Sequence, residues 1–131
     1  MSTSSLQIER VYQVSIPVQE ISQAVTFYNE TLELPLLFQQ SNMAILLCGG
    51  MQLLLSVPES PEFDHPSSTV YFYVPDIEAA CSKLDSRGVT FRGKPHKIAE
   101  MNGVQTWMVF FNDPDGNTHA LTSEVRTGSF D

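Results

Sequence analysis

Apolar and polar positions alternate from Val11 to Val18, with Val14, Ile16 and Val18 on one face and Gln13, Ser15 and Pro17 on the other. A period of two predicts a strand with one buried face. The period then lengthens. Ile21, Ala24, Val25, Tyr28 and Leu32 recur at helical spacing and predict a helix from Gln19 to Thr31. Short apolar runs follow at Leu34 to Gln39, Met43 to Cys48 and Met51 to Ser56, the last two joined by Gly49-Gly50, a hairpin signal. Val57 to Ser68 carries Pro58, Pro61 and Pro66 among Ser and acidic residues and reads as a linker loop.

The second half begins the same way. Thr69 to Val74 alternates, with Tyr71 and Tyr73 on the polar face. Asp76 is a plausible N-cap for a helix whose stripe is Ile77, Ala80, Cys81 and Leu84, and Gly88 suits the position after its C-cap. Val89 to Phe91 and Ile98 to Met101 read as one broken strand, and Val104 to Phe111 pairs with Asn117 to Glu124 across Asp113-Pro114-Asp115-Gly116. Those aspartates and Asn117 can bond their own backbone and hold the turn; a calcium loop is the weaker alternative, because the spaced ligands and closing Glu of an EF-hand are missing.

The halves repeat. Val18-Gln19-Glu20-Ile21 matches Val74-Pro75-Asp76-Ile77, and the strand after Gly50 matches the strand after Gly116. Each half therefore reads strand, helix, three strands. The expected fold class is α+β: two tandem βαβββ modules forming a curled mixed sheet, with helices on the outer face and a cup on the other. The expectation is one domain over residues 1–131, with repeat 1 at 9–57, a linker at 58–68 and repeat 2 at 69–124.

Charge narrows the partners. With 7 Lys and Arg against 15 Asp and Glu, the formal net charge of −8 argues against non-specific binding of nucleic acid or anionic membranes. No apolar run is long enough to span a membrane, and the polar start, Met1 to Ser5, reads as a loose tail rather than a signal peptide. A second mobile tail is expected from Arg126 to Asp131. The two cysteines, Cys48 and Cys81, suit free thiols in a reducing, cytoplasmic setting better than a disulfide.

Val18-Gln19-Glu20-Ile21 with Phe27-Tyr28 and Leu32, then Val74-Pro75-Asp76-Ile77 and Phe111-Asn112-Asp113-Pro114-Asp115-Gly116-Asn117, resemble the vicinal oxygen chelate superfamily over roughly Val11 to Glu124. That group includes glyoxalase I, bleomycin resistance proteins, fosfomycin resistance enzymes and extradiol dioxygenases. The resemblance implies a divalent metal in the cup, held from four equivalent strand positions by His, Glu, His and Glu, with Gln sometimes replacing the first His. Counting five back from Val18 and Val74, and four on from Gly50 and Gly116, puts those positions at Gln13, Thr69, Leu54 and Ala120. Only Gln13 matches a family ligand. Leu54 and Ala120 have no donor atom, and Thr69 is a poor ligand for a catalytic ion. The expectation is therefore no metal and no cofactor. A one-residue slip would substitute His119 for Ala120, but His119 is in phase with Leu121, which makes it a buried or bridging histidine.

By alternation the cup face carries Gln13, Ser15, Gln52, Leu54, Ser56, Thr69, Tyr71, Tyr73, Thr118, Ala120 and Thr122, with either Trp107 or Met108 from the preceding strand. Such a polar-aromatic surface suits a neutral or weakly polar organic ligand. The first expectation is thus a metal-free ligand-binding protein, dimeric because the family often builds cups at subunit contacts. The alternatives are a glyoxalase-like lyase or dioxygenase with an altered site using Gln13, His96 or His119, and a structural or regulatory module with a filled cup. The family's glycine after the helix-one leucine is Glu33 here, so a changed helix exit with φ near −60° is expected.

Overall fold

The computed structural model describes residues 6–127. The segments 1–5 and 128–131, where the two tails were expected, lie outside the described residues. The first module comprises β1 (Gln13–Pro17), α1 (Ile21–Val25), β2 (Leu36–Gln39), β3 (Met43–Cys48) and β4 (Met51–Ser56). The second comprises β5 (Val70–Tyr73), α2 (Ile77–Ser86), β6 (His96–Met101), β7 (Val104–Asn112) and β8 (Thr118–Arg126). Arg126 thus ends a strand instead of opening a tail. The strands form two four-stranded sheets with the same order, β1-β4-β3-β2 and β5-β8-β7-β6. In each, the first and last strands of the module pair in parallel and the other neighbours are antiparallel. The fold is α+β with mixed sheets, and its duplication follows the repeat in the sequence.

Helix one is not a single α-helix. Glu20 caps α1 by accepting from the Ser22 and Gln23 amides at 3.1 and 2.8 Å. From Thr26 to Thr31 the chain widens into a π-helical segment, closed by the Leu32 amide on the Phe27 carbonyl at 2.9 Å. The exit also differs from the expectation, because Glu33 adopts φ 64°, the left-handed conformation that glycine normally fills. Arg87 offsets part of that strain. It ends α2, and its guanidinium meets the Glu33 carboxylate at 2.6 Å and the Thr31 carbonyl at 2.7 Å. Gly88 closes α2 as the spacing predicts: at φ 90° its amide bonds the Asp85 carbonyl while the Val89 amide bonds Leu84. The broken strand before β7 is a single bridge, Phe91 to Phe111, separated from β6. The linker contains a short 3₁₀ turn, Pro61–Phe63.

The modules share their interior. Phe27 and Leu32 of the first module pack into the second module's core of Ile77, Leu84, Val109, Phe111 and Leu121. Val70 and Phe72 of the second pack against Ile16, Val18, Tyr28, Leu53 and Leu55 of the first. These are the helix-facing sides of both sheets.

Candidate functional site

Register resolves the face opposite the helices into rows. In the second sheet one row runs Tyr71, Ala120, Phe110, and the next runs Tyr73, Thr122, Met108, His96. In the first sheet the rows are Gln13, Gln52, Leu47; Ser15, Leu54, Ile45; and Pro17, Ser56, Met43. Side chains directly opposite each other in neighbouring strands share a face. Of the two alternatives on β7, Met108 belongs to this surface and Trp107 does not. Trp107 pairs with Ser123, packs toward the α2 core and donates from its indole Nε1 to Gln105 at 3.0 Å. Phe110 is the aromatic residue missing from the sequence-based set, although its two-residue spacing from Met108 was a sufficient signal. Thr69 precedes β5 and lies outside the paired ladder.

Ala120 lies fully buried between cross-strand neighbours Tyr71 and Phe110, whose rings meet edge to face at 6.4 Å. Tyr71 and Tyr73 remain 57% and 61% exposed. Over the first sheet, a cavity of about 480 Å³ is bounded by Ser15, Leu54, Ser56 and Met43 and walled by the linker through Phe63 and His65. No residue of β5 to β8 lines it. His65 is exposed, with Nδ1 2.9 Å from the Pro66 carbonyl. His96 is exposed too, on the same face as Met108.

His119 lies on the other face, fully buried, and is excluded from any surface that Ala120 shares. Its Nε2 is 2.7 Å from the Tyr28 hydroxyl, which is also 2.6 Å from Asp113 Oδ2. A phenol has one proton to give. With Asp113 as carboxylate, Tyr28 donates to it and accepts from Nε2–H of a neutral His119. His119 Nδ1 is left buried without a partner, among the rings of Phe72, Phe111 and Tyr28. Burial pushes the imidazole below its ordinary value, opposed by the Asp113 charge and the Thr118 backbone. Burial, then Asp113, pushes the Tyr28 phenol far above its ordinary range.

Asp113 also accepts from the Asp115 and Asn117 amides at 2.9 and 2.8 Å, which holds the β7–β8 turn as expected. The surprise is the reach of this turn. Asn117 Nδ2 donates to the Pro17 carbonyl, Asn117 Oδ1 accepts from the Ser67 amide, and Asp115 Oδ1 accepts from the Gln19 amide. The Asp-Pro-Asp-Gly-Asn turn therefore ties β1, the start of helix one and the linker to the second module. With its carboxylate so occupied, Asp113 is a structural acceptor.

The positions equivalent by repeat, Gln13, Leu54, Thr69 and Ala120, do not supply a metal's donor set. One amide and one hydroxyl stand where three protein ligands are needed, and no cluster of three His, Cys, Asp or Glu suited to a metal occurs among the described residues. No helix among the described residues is long and apolar enough to cross a membrane.

Two four-stranded mixed sheets built from duplicated βαβββ modules, with helices packed on one side, define the class as α+β. The chain belongs to the Glyoxalase/Bleomycin resistance protein/Dioxygenase superfamily, whose family model matches residues 10–121. It is 27% identical over 128 residues to the glutathione transferase FosA of Serratia marcescens, covering 93% of this chain and 83% of that protein. Among solved structures, a superfamily member from Sphaerobacter thermophilus superposes with a TM-score of 0.76 at 26% identity, covering 90% of this chain and 99% of that one. TnmS3, an antibiotic-binding protein from a Streptomyces species, gives a TM-score of 0.74 at 26% identity, covering 92% and 100%.

Proposed function

We propose that this protein is a binding member of the superfamily that takes a neutral or weakly polar organic molecule on its cup faces without a divalent ion. The observation that carries the reading is Ala120, a residue without a donor atom, sealed between Tyr71 and Phe110 where the resemblance places a metal-binding carboxylate. What surrounds it suits stacking: Tyr71, Tyr73, Phe110 and Met108, with Thr122 and His96 as polar partners. The antibiotic-binding likeness of TnmS3 supports the same class of function.

A homodimer completes the site. The first module offers Gln13, Gln52 and Leu54 beside the linker cavity, the second offers two half-exposed tyrosines, and the cavity joins none of the second set to the first. A second copy would set one chain's first-module face against the other's second-module face. The glutathione transferase relative supports a rival reading, an enzyme with an altered site.

Two measurements separate these readings. Metal analysis of dialysed protein should find nickel, zinc, iron and manganese well below one per chain; stoichiometric metal would overturn the metal-free reading. A thermal-shift screen of small aromatic and glycopeptide ligands should find stabilisation that Tyr71→Ala removes. A saturating ligand at ~100 times its Kd stabilises by about 2.7 kcal/mol. If nothing stabilises the protein, the cup is filled and the binding reading fails.

A further inference from the structure

A second cavity lies away from the cup, where the two modules meet on their helix side. Its volume is about 260 Å³. Leu32 and Leu34 from the helix-one exit, Cys48 from the end of β3, Phe72 from β5 and Leu84 from α2 line it. Leu32, Leu34, Cys48 and Phe72 are only partly buried, so apolar surface from both modules remains open to a ligand. Phe72 alternates with Tyr71 along β5, which sets the body of this cavity on the helix side of the sheet, with Tyr73 reaching its edge at the end of the strand.

The mouth is charged. Lys83, Arg87 and Glu33 stand around it. Arg87 is committed to Glu33 and the Thr31 carbonyl, whereas the Lys83 Nζ ammonium makes no ion pair or hydrogen bond among the described residues; only its backbone carbonyl is engaged, accepting from the Ser86 hydroxyl. Two cations and one carboxylate leave a local surplus of one positive charge on a chain whose formal charge is −8. Burial raises the Cys48 thiol above its ordinary value, so the wall contributes a neutral sulfhydryl and no competing anion.

We propose that this inter-module cavity binds a small organic monocarboxylate, its apolar body against Leu32, Phe72 and Leu84 and its carboxylate at Lys83. The volume falls just below the ~300–1,000 Å³ of common ligand pockets, which limits the body to one ring or a short branched chain. The left-handed Glu33 turn acquires a role: it fixes Arg87 across the mouth and leaves Lys83 as the unpaired cation.

Benzoate and its neutral isostere benzamide test the proposal, titrated into the full-length protein at low salt while backbone amide NMR shifts are followed. Benzoate should bind saturably at millimolar concentration, about fivefold tighter than benzamide, the worth of one exposed ion pair. Shifts should centre on Cys48, Phe72 and Ala80. Lys83→Gln, an exposed change that leaves the fold intact, should equalise the two affinities, and added salt should shrink the preference. Equal binding by the wild type, a preference that survives Lys83→Gln, shifts centred on Leu54 or Tyr71, or no saturable shift would each overturn it. None of these outcomes depends on the cup reading.

Discussion

Glu33 shows how a single residue can break a local rule when a distant one supports it. Its φ of 64° carries a cost of ~1 kcal/mol, and the Arg87 pair returns at most about as much, because both side chains are exposed and solvent-screened. Glu33→Gly should therefore leave stability nearly unchanged in the wild type, yet raise it by about 1 kcal/mol in an Arg87→Gln background. Urea denaturation of the four proteins in that cycle measures the coupling. The exit was misread from sequence because Arg87 is 54 positions away, beyond any local pattern.

His119 makes a pH prediction. Its folded pKa lies below the unfolded value, so the unfolded chain takes up the proton first as pH falls. Above the ordinary histidine value both states are neutral and stability is whole. Below it, stability should decline until the folded value is passed. Asp115 has the opposite sign, since burial raises its carboxyl, and it acts at lower pH. Denaturation midpoints between pH 7 and 5 should fall for the wild type and stay flatter for His119→Asn. Tyr28→Phe should cost about 1–3 kcal/mol at pH 7, because it strands the His119 Nε2–H and strips a donor from Asp113.

At the scale of elements, the hydrophobic pattern located β3 and β4 with their bounds and the hairpin of β7 and β8, but it joined residues 89–91 to β6 as one broken strand where the structure has an isolated bridge. The pattern works in β3 and β4 because each buries alternate residues, Ala44 and Leu46 then Leu53 and Leu55, against the core, whereas β2 and β6 are exposed along their whole length. It failed at helix one, where a π-helical segment keeps the same apolar spacing as an α-helix but changes the hydrogen-bond ring. It left β7 in doubt because Trp107 and Met108 are both apolar, so composition could not assign faces; only pairing with Ser123 and Thr122 does. The β7–β8 turn gains most from tertiary context. Asn117→Ala should lower stability by about 2–4 kcal/mol, since it leaves the Pro17 carbonyl and the Ser67 amide without partners. Proteolysis should then cut first in the linker, 58–68, which Asn117 pins through Ser67; unchanged linker protection would count against that role.

At the scale of the whole molecule, the helix-side cores merge within one chain while the cup faces carry exposed tyrosines. Sedimentation should show a dimer, and Tyr71→Asp with Tyr73→Asp should shift it toward monomer and abolish cup ligand binding together. A monomeric wild type would count against the completed cup.

The sequence by itself determined the duplication and the fold class, because periodicity and turn chemistry are local properties. Tertiary structure decided which groups became partners. It buried His119 against Tyr28, drew Glu33 into a left-handed turn opposite Arg87, and opened a cavity behind β5. Each of those joins residues from both modules, and the spacing within one module holds no record of what the other brings to it.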